Sequence, residues 1–148
     1  MSKTILYVED NSSMRKYTVE LLKSAGYKVV DRQRIDQVKE YFNEYYKEID
    51  CIITDLNMAD EWLEKYRHES DGCMISGWVW LQHYVFNSHP EIPAIIYSGY
   101  NQYLRNILKV RDTIHLLDKE DLYLVDKGAD KFEGFQRLNS KLKEIFSK

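Results

Sequence analysis

Five side chains of this sequence have the types and spacing to do chemistry together: Glu9 and Asp10, Asp55, Ser98 and Lys127. Each stands at the carboxyl end of a short apolar run: Thr4 to Val8, Ile49 to Thr54, Ile92 to Tyr97, and Leu122 to Val125. In an open parallel sheet, ligands bind beyond the carboxyl ends of the strands. Three carboxylates gathered there repel one another, and a cation relieves the conflict. Mg²⁺ suits such a site, because it takes hard oxygen ligands, one or two carboxylates among them, and keeps several waters. With the cation seated, one carboxylate can act as a nucleophile towards phosphorus. A lysine and a hydroxyl are the groups that stabilise the charge on a transferring phosphoryl group. Taken singly, each residue has a plainer reading: a loop acid or helix cap, a Ser98-Gly99 turn, a surface lysine. Their joint occurrence at successive strand ends carries the argument.

The elements that would position them alternate along the chain. Thr4 to Val8 is fit for a strand buried on both faces. Asn11, Ser12 and Ser13 are capping types, and Met14, Tyr17, Leu21, Leu22 and Ala25 then recur at helical spacing until Gly26. Lys28 to Val30 is a short second strand, and Ile35, Val38, Phe42 and Tyr45 mark a second helix. Ile49 to Thr54 is the third strand. A helix from Gly77 carries Trp78, Leu81 and Val85 on one face. Ile92 to Tyr97 is the fourth strand, followed by a helix with Leu104, Ile107, Leu108 and Arg111. Leu122 to Val125 is the fifth strand, and Phe135, Leu138, Leu142, Ile145 and Phe146 mark the last helix. Strand then helix, repeated, predicts an α/β fold with a parallel sheet covered on both faces. No repeat or linker marks a second domain, so residues 1–148 are expected to form one.

Composition bounds the rest. The 148 residues are 44% hydrophobic and 30% charged, with 21 basic and 24 acidic side chains and a formal net charge of −3. Such a chain should fold rather than stay disordered, burying roughly 68–70% of its unfolded surface. The slight acidic balance argues against bulk attachment to nucleic acid, which needs a basic face. Cys51 and Cys73 form no Cys-x-x-Cys pair, so a reduced, cytoplasmic chain is expected. No apolar run reaches the ~18–20 residues of a membrane span, nor does the N-terminus read as a secretory signal.

In its motifs the sequence resembles the receiver domains of two-component response regulators. Tyr7-Val8-Glu9-Asp10-Asn11-Ser12-Ser13-Met14-Arg15 is similar to the family's acid pair and first-helix start. Ile52-Ile53-Thr54-Asp55-Leu56-Asn57-Met58 resembles the phosphoacceptor strand and loop. Pro93-Ala94-Ile95-Ile96-Tyr97-Ser98-Gly99 resembles the strand ending in the switch hydroxyl, and Leu124-Val125-Asp126-Lys127-Gly128-Ala129 the strand bearing the lysine. The motifs occur in the family's order over nearly the whole chain. The resemblance implies a flavodoxin-like, doubly wound sheet of order 2-1-3-4-5. It implies that Asp55 accepts a phosphoryl group from the histidine of a sensor kinase or phosphotransfer protein. Asp10 and Asp55 would ligate Mg²⁺ directly, Glu9 mainly through water, and Asn57 by its backbone carbonyl. Lys127 would pair with the phosphoryl oxygens, and Ser98 and the Gly99 amide would hydrogen-bond to them. Phosphorylation would draw Ser98 inward and repack the face of the fourth helix, fifth strand and fifth helix for a downstream protein.

Four departures from the family pattern stand out. Glu9 replaces the commoner Asp. Leu124 stands where an aromatic residue usually precedes the lysine by three, while Tyr123, one position earlier, should face the other side of the sheet. Gly128 replaces the proline that often follows the lysine. The stretch from Asp55 to Gly77 exceeds the usual distance, so an insertion within 59–76 should lie beside the carboxylates, either as a tolerated loop or as a control on water access or kinase docking. Ser70-Asp71-Gly72 is a turn signal within it.

Two other function classes compete with the phosphoacceptor. One is a phosphorylation-independent adaptor that binds a partner through a surface drawn from the 12 tyrosines. The other is an aspartyl-nucleophile phosphatase, which would want a second acid where Asn57 stands. His68, His83, His89 and His115 have no metal-ligand spacing and read as surface or helix residues. Cys51 reads as a core thiol, and Trp62, Trp78 and Trp80 as core or insertion packing ahead of the alternative, a partner site.

Overall fold

The computed structural model describes residues 2–59 and 61–148, with backbone alone for 61–63. Strands β1 (Thr4–Val8), β2 (Lys28–Arg32), β3 (Cys51–Thr54), β4 (Ala94–Ser98) and β5 (Leu122–Asp126) form a parallel sheet of order β2-β1-β3-β4-β5. Between and after them run α1 (Ser12–Ser24), α2 (Ile35–Tyr45), α3 (Ser76–Trp80), α4 (Asn101–Val110) and α5 (Lys131–Phe146). The parallel sheet is the one the alternation of elements predicts, and its strand order is the one the family resemblance implies.

Local chemistry sets the helix ends. The Asn11 side chain accepts a hydrogen bond from the Met14 amide at 2.9 Å, opening α1 directly beyond the acid pair. Gly26, at φ +99°, closes that connection in a conformation L side chains resist. Asp130 caps α5 by accepting from the amides of Phe132 and Glu133.

Strand alternation divides the apolar residues between two cores. Leu6, Val8, Ile52, Ile96 and Leu124 face α2, α3 and α4, where Val38, Phe42, Trp78, Trp80 and Leu104 pack. Ile5, Tyr7, Ile53, Ile95 and Tyr97 face α1 and α5 with Val19, Leu22, Phe135, Leu138 and Leu142. Each fully buried side chain of this size contributes about 1.5–3 kcal/mol, so both faces hold the sheet rigid beneath its carboxyl-end loops. Tyr123 lies on the α1/α5 side, opposite Leu124, as its strand position requires. Trp78 and Trp80 are core residues and Cys51 is fully buried; the side chain of Trp62 lies outside the described residues.

The structure moves several boundaries. β2 runs on to Arg32, paired with Val8, whereas its apolar residues stop at Val30. Ile49 closes a 3₁₀ turn at Tyr46–Glu48, so β3 begins only at Cys51. β4 starts at Ala94 and includes Ser98. The third helix widens into π geometry at Leu81–Phe86, a change apolar periodicity does not signal.

The insertion between β3 and α3 is compact in its described part. A 3₁₀ segment spans Glu61–Tyr66, and the turn at Asp71, Gly72 and Cys73 holds three consecutive positive φ angles. The buried Ser70 hydroxyl accepts from the Cys73 amide at 3.1 Å and steadies that turn. Arg111, at the C-terminal cap of α4, donates to the carbonyls of Glu69 and His68 at 2.7 and 3.0 Å, and the Tyr103 hydroxyl donates to Asp71. His83 pairs with Glu69 at 2.9 Å and lies against the Tyr66 ring. At the start of the insertion the Ala59 backbone hydrogen-bonds to Asp10, whereas residues 66–73 are docked on α4 and the third helix.

Candidate functional site

Parallel pairing aligns the strand ends. Val8 is in register with Thr54, and the Asp55 amide donates to the Val8 carbonyl at 3.1 Å, so Glu9, Asp10 and Asp55 leave adjacent strands side by side. Ser98 is in register with Asp126, and the Lys127 amide donates to the Ser98 carbonyl at 3.1 Å. Carboxylate oxygens of Glu9, Asp10 and Asp55 lie within 4.8 Å of one another. Into this group Lys127 extends its ammonium, 2.6 Å from Glu9 Oε1 and 3.4 Å from Asp55 Oδ1. The same Nζ stands 5.6 Å from the centre of the Tyr97 ring, an added electrostatic contact for the cation.

Glu9 is 1% exposed, and its second oxygen, Oε2, is buried without a hydrogen-bond partner. A buried, half-satisfied carboxylate is costly, and its titration reflects this. Burial first, then the adjoining Asp55 carboxyl, push the Glu9 pKa up to about 8, with Lys127 opposing. Burial and the Asp55 charge also raise Asp10. Three oxygen donors of this kind, one of them an orphaned buried atom, fit a hard divalent cation such as Mg²⁺.

The remaining side chains expected at the site are distributed as follows. Ser98 is fully buried at the β4 tip, and its Oγ accepts from the Tyr100 amide at 3.0 Å. Gly99 follows, exposed. Asn57 is half-buried in the loop after Asp55.

Several residues that sequence reasoning passed over hold these groups in place. The Thr54 hydroxyl donates to the Asp55 carbonyl at 2.8 Å while accepting from the Trp80 indole N–H at 3.1 Å. The Ser76 hydroxyl lies 2.8 Å from the Met58 carbonyl and accepts from its amide at 3.0 Å, fixing the loop that carries Asn57. Gly77 packs so closely on the Asp55 carbonyl that a Cβ would collide with it. Arg15 donates to the Glu9 carbonyl at 2.7 Å and pairs with Asp31 at 3.3 Å. The buried amide of Asn101 ties the β5 end to α4, donating to the Val125 carbonyl at 3.0 Å and to Asp126 at 3.1 Å. Of these, Arg15 and Thr54 lie inside quoted motifs and Gly77 is the expected start of the third helix; Ser76 and Asn101 carry no spacing signal, and Trp80 read only as a packing residue.

The sequence matches no protein-family profile and no curated protein. Its structure does match solved ones. A CheY-like response regulator receiver domain protein from Methanospirillum hungatei superposes with a TM-score of 0.67 at 17% identity, over 99% of this chain and 98% of that one. The non-phosphorylated HemR receiver domain from Leptospira biflexa gives 0.65 at 15% identity, over 94% and 93%. A response regulator receiver domain protein from Clostridium thermocellum gives 0.61 at 18% identity, over 96% and 95%. With the strand order and full-length coverage in agreement, the chain has the fold of the CheY-like response regulator receiver domains.

Proposed function

We propose that the protein is a phosphoacceptor switch, with residues 1–148 acting as one receiver unit. The observation that carries this reading is the placement of the Lys127 ammonium between Glu9 and Asp55, inside a cluster of three carboxylates at adjoining strand tips. A purely structural lysine has no need of two buried or half-buried acids at the mouth of a sheet.

The donor is the phosphohistidine of a sensor kinase or phosphotransfer protein. A carboxylate oxygen of Asp55 forms the new P–O bond as the P–N bond breaks, and the imidazole departs with the electron pair. The product is an acyl phosphate on Asp55. Asp10, Asp55 and the Asn57 backbone carbonyl would hold Mg²⁺, with Glu9 acting through water. Bound there, the cation would offset the negative charge of the carboxylates and the phosphoryl oxygens. Lys127 neutralises a phosphoryl oxygen, and the Ser98 hydroxyl and Gly99 amide donate to others. Drawing Ser98 towards the phosphoryl group takes its Oγ from the Tyr100 amide, which stands at the head of α4. That contact links the acyl phosphate to the α4–β5–α5 face, where a downstream protein would read it.

The test is intact mass after incubation with Mg²⁺ and acetyl phosphate. The wild type should gain one phosphoryl group, and Asp55→Asn none. Failure of the wild type to gain mass at saturating donor would overturn the reading and leave the phosphorylation-independent adaptor.

A further inference from the structure

The lysine that enters the acid cluster hangs from a loop whose backbone is held by α5. Arg137, on the second turn of that helix, donates from Nε to the Asp126 carbonyl at 3.0 Å and from Nη2 to the Lys127 carbonyl at 2.9 Å. Two glycines make the approach feasible. Gly128 has φ +70°, and a Cβ there would strike Nη2 of Arg137. Gly134, in the first turn of α5, presses against the Lys127 carbonyl so closely that a Cβ would overlap it. On the other side, the Lys127 amide is bound to the Ser98 carbonyl at 3.1 Å. Both peptide groups of Lys127 are therefore fixed, one by β4 and one by a guanidinium.

We propose that Arg137 is a positioning residue for Lys127: its planar fork bridges the carbonyls of Asp126 and Lys127 and so aims the Lys127 ammonium at Asp55. The inference rests on the phosphoacceptor reading and adds to it a residue ten positions beyond the lysine. Arginine suits the task because its fork presents two donors in fixed geometry, which a lysine ammonium does not. Misplacing a charged group by about 1 Å is enough to slow a reaction it stabilises severalfold or more.

The experiment measures the first-order rate of phosphorylation by acetyl phosphate at saturating Mg²⁺. The proteins are the wild type, Arg137→Ala, Arg137→Lys, Gly128→Ala, Lys127→Ala and the Lys127→Ala/Arg137→Ala double variant. Arg137→Ala and Arg137→Lys should both slow the reaction about tenfold, and Gly128→Ala should slow it by displacing the guanidinium. In the Lys127→Ala background, loss of Arg137 should have no further effect, because the residue acts only through the ammonium. In parallel, the side-chain ammonium resonance of Lys127 should lose its protection from exchange in Arg137→Ala without any phosphodonor present. An Arg137→Ala rate within twofold of the wild type, an equal slowing in both backgrounds, or rescue by Arg137→Lys would each overturn the proposal. A wild type that takes no phosphoryl group at all would instead overturn the phosphoacceptor reading, and with it the role given to Arg137.

Discussion

At the scale of single residues, the glycine that opens the third helix is as demanding as any charged group. Any Cβ on Gly77 would overlap the carbonyl oxygen of Asp55 and crowd the Leu56 Cα, both backbone atoms that cannot rotate aside. Gly77→Ala should therefore cost about 1–3 kcal/mol of stability, the usual range for forcing an extra methyl into a packed site. Because the displaced peptide carries Asp55, phosphorylation should slow as well. Gly72→Ala is the control: at φ +63° it is strained by about 1–2 kcal/mol, but nothing lies within 4 Å of its Cβ position. It should lower the melting temperature and leave the phosphorylation rate unchanged. Equal rates for the two variants would show that Gly77 has no bearing on Asp55. The charged residues were legible in the sequence because strand-end acids and lysines have a type and a place. Gly77, Thr54, Ser76 and Trp80 were not, because what they supply is proximity between segments far apart in the chain.

At the scale of elements, the strands and helices were legible wherever burial imposed a period. β1 and β4 lie between two helical layers, so their residues are apolar almost without break, and α5 shows its stripe of Phe135, Leu138, Leu142 and Ile145. Periodicity fell short where hydrogen bonding decides the backbone, as in the 3₁₀ turn before β3 and the π segment at Leu81–Phe86. The insertion was visible as extra length and as the turn signal Ser70-Asp71-Gly72; its docking depends on Tyr103 and Arg111, which look like ordinary helix-surface residues. Arg111 bridges two carbonyls of the insertion, an interaction that bound charge strengthens over a neutral hydrogen bond. Arg111→Ala should accelerate hydrogen exchange at the Ser70 and Gly72 amides, whose bonds to Tyr66 and Arg67 close the insertion's turns, and leave exchange in β1 and β3 unchanged. If the acyl phosphate lifetime also shortens in this variant, the insertion restrains α4 while the site is loaded. An unchanged lifetime would reduce the insertion to a surface loop.

At the scale of the whole molecule, the acid cluster sets how stability responds to pH. Glu9 titrates at about 8 in the fold against 4.5 in an unconstrained chain, and Asp10 is shifted in the same direction. Between those values the folded state holds protons that the unfolded state has released, so stability declines as pH rises through this window. Below about pH 4.5 both states are protonated and the contribution is fully present. Above the folded value it is gone, and the fold carries clustered negative charge opposed by Lys127. A divalent cation reverses the trend, since it binds the ionised carboxylates, competes with their protons and stabilises only the folded state. Thermal unfolding followed by circular dichroism from pH 5 to 9 should then give two diverging curves for the wild type: falling without divalent cation, and flat or rising with millimolar Mg²⁺. Glu9→Gln removes the titrating group, so the melting-temperature difference between wild type and variant should move against the wild type as pH rises in metal-free buffer. A difference independent of pH would mean that Glu9 is ionised throughout, and the carboxylate cluster would then have to be stabilised by something other than protonation of Glu9.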